Sequence, residues 1–318
     1  MERTYNQELQ KRLEQYIVDN PISQAKLAPK IGVSQTALSC WRRNQYEGDI
    51  GALERKISEF LKVEENTQQQ AAKAAPYQPV LEYIPTSISE DVYEAITYCQ
   101  IERGMVILHG DAGIGKTKGA EKFVKENPTA AVYIQATPAS GTLSNILKLL
   151  ARALRVPESR NKLELLLSIR EKLEGTNRVI IIDEAQHLKL NALEEIRTLS
   201  DPNSLTGQRG TGICLIGNTE VYSRMIGKQE AQFAQLFSRI RMNRRYSTKK
   251  VLSKDVAALF PKLAEQGAKE ELKFLHSVSQ SKWGIRGAVN LYNNAVNNAD
   301  ISYKGLYGMA RQMGIGLI

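Results

Sequence analysis

Residues 110–117 read Gly-Asp-Ala-Gly-Ile-Gly-Lys-Thr, a complete G-x-x-x-x-G-K-T loop. It follows the apolar run Met105-Val106-Ile107-Leu108 and precedes a helix-like stretch, Lys118 to Glu126. A strand, a glycine-rich turn and a helix in that order give backbone N–H groups a geometry for wrapping phosphate oxygens. Gly110, Gly113 and Gly115 let the chain pass close to a ligand, with Asp111, Ala112 and Ile114 completing the cradle. The helix N-terminus adds partial positive charge. Lys116 is placed to reach the β- and γ-phosphates, and the Thr117 hydroxyl to hold Mg²⁺. The competing reading is a glycine-rich turn with a chance Lys-Thr, but a second motif lies downstream.

That motif is Arg178-Val-Ile-Ile-Ile-Asp183-Glu184. Four consecutive β-branched residues suit a strand buried on both faces of a parallel sheet. Its acids then fall at the strand's carboxyl end, where such sheets bind ligands. Asp183 is the candidate for positioning Mg²⁺, and Glu184 the candidate for polarising the water that attacks the γ-phosphate. An acidic cap on the next helix is the plainer role for the pair. A further apolar run, Gly212 to Gly217, ends at Asn218, which is placed to sense a γ-phosphate or merely to make a turn.

Alternating strand and helix patterns mark an α/β fold: a parallel sheet covered by helices. Strands are expected at 105–109, 131–136, 179–183 and 212–217, with helices at 89–103, 142–155, 161–174 and 190–200. A small all-α unit is expected at 1–65, a linker at 66–80, the α/β core at 81–248 and a helical part at 249–318. In the first unit, Ile22 to Arg43 reads as helix, tight turn, helix, with Ser23 and Ser34 as caps. This resembles a helix-turn-helix, in which Gln35, Thr36 and Ser39 would reach base edges and Arg42 and Arg43 phosphates. A protein-interaction module on the same scaffold is the alternative.

The 318 residues carry a formal charge of +9. Residues 1–238 are balanced, so the whole excess lies in 239–318. Arg239, Arg241, Arg244, Arg245, Lys249 and Lys250 fall within twelve residues and have no acid among them. They are either a phosphate-backbone footprint or a solvated face. No apolar stretch approaches the roughly 20 residues that span a bilayer, and the N-terminus lacks a signal-peptide core. Cys40, Cys99 and Cys214 have no metal-site spacing and fit a reducing cytoplasm.

With these motifs placed, the chain resembles the AAA+ ATPases. The nucleotide loop, the Asp-Glu strand, the polar strand end and a helical lid come in that family's order. The likeness implies that Arg286, in Trp283-Gly-Ile-Arg286, contacts the nucleotide from the lid. It also implies that Arg239, or else Arg241, is an arginine finger acting on a neighbouring subunit. Segments 134–138, 173–176, 179–188, 217–223 and 233–240 further resemble the target-DNA-capture ATPases of transposing phages. That likeness covers most of the chain and weakens after about residue 290. It implies a binder of double-stranded DNA that forms ATP-dependent helical homo-oligomers and serves a DDE-type transposase. The filament bore would be lined by Lys148, Arg152, Arg155, Arg160 and Lys162, for which solvated helix charges are the alternative. A sequence-specific transcription regulator and a helicase loader are the competing functions.

Overall fold

The computed structural model describes residues 5–74, 83–202, 207, 209–226, 240–298 and 300–316. The chain divides into two compact units, Met1–Gln78 and Pro79–Ile318.

The described residues of the first unit form four helices: α1 (Gln7–Asp19), α2 (Gln24–Ile31), α3 (Gln35–Arg42) and α4 (Ile50–Ala74). Leu27, Ala28 and Ile31 of α2 meet Leu38 and Trp41 of α3, and Leu9, Leu13, Leu53, Ile57 and Leu61 close the core. Gly32 ends α2 at φ +75°, a conformation that glycine adopts without strain. The Ser34 Oγ accepts from the Ala37 amide and caps α3, whereas Ser23 makes no such bond. The α4 helix continues through much of the expected linker, because Glu, Gln, Ala and Lys favour helix and no proline intervenes before Pro76.

The second unit holds a five-stranded, all-parallel sheet in the order β2-β3-β4-β1-β5. Its strands are β1 (Met105–Gly110), β2 (Ala131–Gln135), β3 (Val179–Asp183), β4 (Gly212–Gly217) and β5 (Ile240–Tyr246). The middle strands β1, β3 and β4 are buried throughout, as their unbroken apolar runs demand. Helices α5 (Ser87–Glu102), α6 (Lys116–Glu126), α7 (Leu143–Leu154), α8 (Lys162–Leu173), α9 (Leu190–Thr198) and α10 (Thr219–Ile226) connect and cover them. Among the described residues beyond β5 are five α-helices: α11 (Ser253–Leu259), α12 (Pro261–Glu265), α13 (Lys269–Ser279), α14 (Gly284–Asn297) and α15 (Tyr303–Gln312). Pro261 splits the apolar stretch 256–263 into α11 and α12, since it starts a helix readily and cannot continue one.

Strand β5 was not among the expected elements. Its segment, Ile-Arg-Met-Asn-Arg-Arg-Tyr, has no apolar run because it is an edge strand with one neighbour. Charge at an edge discourages pairing with other chains. Among the described residues no helix is long and apolar enough to cross a membrane.

Trp41 is fully buried, and its Nε1–H donates to Glu54 at 3.0 Å, tying α3 to α4. Trp41→Ala therefore removes the largest side chain of that core together with a hydrogen bond. Its expected cost is about 3–5 kcal/mol, read as a lowered unfolding transition in calorimetry of the full chain.

Candidate functional site

The parallel sheet brings the carboxyl ends of β1, β3 and β4 together, and the site is built there. The nucleotide loop leaves β1 at Gly110, φ +143°, where a Cβ would overlap the Tyr246 carbonyl oxygen. Gly113 and Gly115 also have positive φ, at +70° and +101°. Lys116 opens α6 and is only 9% exposed. Its Nζ donates to the carbonyls of Gly110 at 3.1 Å and Asp111 at 2.6 Å. Burial depresses the ammonium's pKa, while Asp183, Glu184 and Asp111 pull it back up.

Asp183 ends β3 nearly fully buried, with both oxygens occupied. Its Oδ2 accepts from the Thr117 hydroxyl at 2.8 Å and the Tyr133 hydroxyl at 3.1 Å, and its Oδ1 accepts from the Glu184 amide at 2.8 Å. Burial and this carboxylate push the Tyr133 phenol well up, so it remains a donor. A hydroxyl and a carboxylate in contact are hard oxygen donors of the kind Mg²⁺ takes alongside phosphates and waters. Among the described residues there is no group of three or more His, Cys, Asp or Glu that would cage a metal outright.

Glu184 has φ +53°, in the left-handed region, which turns the chain sharply away from β3. Its Oε2 accepts from Gln186 Nε2. Gln186 lies in the 3₁₀ turn Ala185–His187, and its Oε1 accepts from the Asn218 amide at 3.2 Å. Sequence reasoning missed Gln186, because nothing in its local neighbourhood points to β4. The Asn218 side chain accepts from the Glu220 amide at 2.9 Å and so caps the start of α10, the turn-forming role left open by the sequence.

The lid seats directly on the nucleotide loop. The Arg286 amide donates to the Gly113 carbonyl at 2.9 Å. Gly284, at φ +64°, lies so near the loop that a Cβ would come within 2.8 Å of the Ala112 carbonyl oxygen. The Arg286 side chain is exposed, and its charge helps to lower the Lys116 pKa. Asp111 faces away from the cradle. Its Oδ2 accepts from the Thr248 amide at 2.7 Å, the Ser247 hydroxyl at 3.0 Å and the Thr248 hydroxyl at 3.2 Å. Burial opposes its ionisation, but these bonds outweigh burial and hold the carboxyl below its usual range.

The remaining candidates are spread over other surfaces. Arg239 lies outside the described residues. Arg241 is exposed at the amino end of β5, beside Gly104, at the end of the sheet away from the nucleotide loop. In the basic cluster, Arg244 is ion-paired with Asp91, while Arg245, Lys249 and Lys250 are exposed. Arg152 pairs with Glu158 at 2.5 Å. Arg155 adopts φ +55° and terminates α7, so Lys148, Arg152 and Arg155 do not form one continuous helical stripe. Arg155, Arg160 and Lys162 are exposed, and Lys148 is half-buried. In the helical unit Gln35, Thr36 and Arg43 are exposed and Ser39 half-buried. Arg42 is held bidentately by Glu14, at 2.6 and 2.7 Å.

Residues 100–225, which hold the nucleotide loop and the Asp-Glu strand, match the family model described as "AAA domain". The fold is similar to that of the ORC2 protein of Aeropyrum pernix, with a TM-score of 0.52 at 16% identity, covering 76% of this chain and 71% of that one. The "Mu-like prophage FluMu DNA transposition protein B" of Haemophilus influenzae is 30% identical over 88% of this chain and 94% of its own length. The "ATP-dependent target DNA activator B" of Escherichia phage Mu is 28% identical over 88% of this chain and 84% of its own length. An AAA+ ATPase site, on a chain that matches such a relative almost end to end, places this protein in the family of Mu-type DNA transposition B proteins.

Proposed function

We propose that the protein is an ATP-switched, largely sequence-independent binder of duplex DNA. It assembles as a helical homo-oligomer on target DNA, delivers that DNA to a DDE-type transposase and stimulates strand transfer. The observation that carries this reading is the convergence of Lys116, Thr117, Asp183 and Glu184 at one end of the sheet, in a chain whose relatives are named for DNA transposition and for ATP-dependent activation of target DNA.

In this reading Lys116 gives up its two loop carbonyls for the β- and γ-phosphates, exchanging neutral acceptors for anionic ones. Thr117 and Asp183 would hold Mg²⁺, which neutralises charge on the phosphates when bound. The Glu184 carboxylate orients and polarises the attacking water. Arg239, with Arg241 as the alternative, completes the site of a neighbouring copy. Nucleotide then favours assembly, and hydrolysis weakens it. DNA follows the basic residues around α7 and the start of α8, where Lys148, Arg155, Arg160 and Lys162 meet its phosphates and Arg152 joins them on leaving Glu158.

Lys116→Ala should weaken ATP binding by about 10- to 100-fold, the value of one or two charge-assisted hydrogen bonds. Fluorescent-nucleotide titration measures this, and wild-type affinity would remove the basis of the reading.

Glu184→Gln keeps the shape and loses the charge. It should bind ATP and DNA normally while kcat for hydrolysis falls by about 10²- to 10⁴-fold, seen as persistent ATP-dependent DNA complexes in electron microscopy.

Log affinity for duplex DNA should fall linearly with log salt, by about 0.9 per phosphate contact. Replacing Lys148, Arg155, Arg160 and Lys162 with Ala should flatten that slope. Replacing Arg244, Arg245, Lys249 and Lys250 should leave it unchanged. If only deletion of residues 1–65 abolishes binding, the helical unit is the DNA contact and a sequence-reading regulator becomes the better account.

A further inference from the structure

We infer that Gln186 is a positioning residue for hydrolysis: its amide holds the Glu184 carboxylate and ties it to the carboxyl end of β4 at Asn218. The inference rests on the role proposed for Glu184 and names what sets that group's orientation.

The argument begins with the backbone. Glu184 follows β3 with φ +53°, so its side chain leaves the strand at a sharp turn and not along the sheet surface. A carboxylate carried there on two rotatable methylenes points in no fixed direction unless something binds it. Gln186 Nε2 donates to its Oε2. The other end of the same amide, Oε1, accepts the backbone N–H of Asn218 at 3.2 Å. That second bond fixes the orientation of the amide. A backbone N–H only donates, so the carbonyl end must face Asn218 and the NH₂ end must face Glu184.

The surroundings keep the amide in place. Gln186 is 8% exposed and sits in a 3₁₀ turn closed by the bonds from His187 N–H to the Glu184 carbonyl, at 3.0 Å, and from Leu188 N–H to the Ala185 carbonyl, at 3.1 Å. Gly217 makes room for it, because a Cβ there would lie 2.5 Å from Gln186 Oε1. The carboxyl ends of β3 and β4 are thus joined through one side chain. A shift of β4 at Asn218 moves the amide, and the amide moves the carboxylate.

Two substitutions at Gln186 separate this role from simple packing. Gln186→Met keeps length and volume and loses the hydrogen bonds to Glu184 and Asn218. Gln186→Glu keeps the acceptor for Asn218 and sets a carboxylate against Glu184. Gln186→Met should leave ATP affinity unchanged, and both variants should remain folded at the assay temperature, checked by thermal unfolding of the full chain. Both should lower kcat by about 10- to 100-fold, the scale of a misplaced catalytic group, with Gln186→Glu the lower of the two.

The deciding measurement is a double-mutant cycle on single-turnover ATP hydrolysis. If Gln186 acts through Glu184, adding Gln186→Met to Glu184→Gln costs no further rate. Full additivity in the cycle, wild-type kcat in both Gln186 variants, or a loss of kcat in Gln186→Met matched by an equal loss of ATP affinity would each overturn the inference. Wild-type turnover in Glu184→Gln alone would instead overturn the role of Glu184 and leave the Gln186 variants to be read against a different base.

Discussion

The Asp183 carboxylate is the hub of the site. It accepts hydrogen bonds from Thr117 at the start of α6, Tyr133 on β2 and the Glu184 amide just past β3. Each donor comes from a different part of the fold, so one nearly buried carboxylate fixes the nucleotide loop's helix, a neighbouring strand and the sharp turn that presents Glu184. A buried carboxylate without such donors would be costly. Here the bonds satisfy it, and Lys116 supplies positive charge nearby. Glu184 leaves the sheet at the turn beside Asp183, and Gln186 links its carboxylate to Asn218 at the end of β4.

Much of this could be read before any coordinates. Gly110–Thr117 forms the strand-to-helix loop because phosphate-binding geometry is encoded locally, in the placement of glycines and of Lys-Thr. The four β-branched residues before Asp183 form a fully buried strand for the same local reason. The α/β class and the parallel sheet followed from the alternation of such runs.

What escaped the sequence depends on distant partners. Asp111 sits within the loop motif, yet its carboxylate turns to Ser247 and Thr248. Nothing near Gln186 predicts Asn218, since their meeting depends on how β3 and β4 lie side by side. Strand β5 carries an apolar residue at alternate positions, Ile240, Met242 and Tyr246, but its charges hide the pattern, and it pairs only because β1 is there. The phosphate-ligand readings of Arg42, Arg152 and Arg244 came from the helix-turn-helix pattern, the family resemblance and a charge cluster respectively, and each residue has an acidic partner that sequence spacing does not reveal.

The clasp on the nucleotide loop bears on how the protein is made. The loop occupies residues 110–117, yet Asp111 is held by Thr248, the chain at Gly110 rests on Tyr246, and Gly113 receives the amide of Arg286. Domains form from the amino end while the ribosome is still working. Strand β1 and helix α6 therefore emerge long before the segments that shape the turn between them. A nascent chain has the locally encoded phosphate-binding turn early, and the contacts that brace it from Tyr246, Thr248 and Arg286 are complete only once the lid helix α14 has been synthesised.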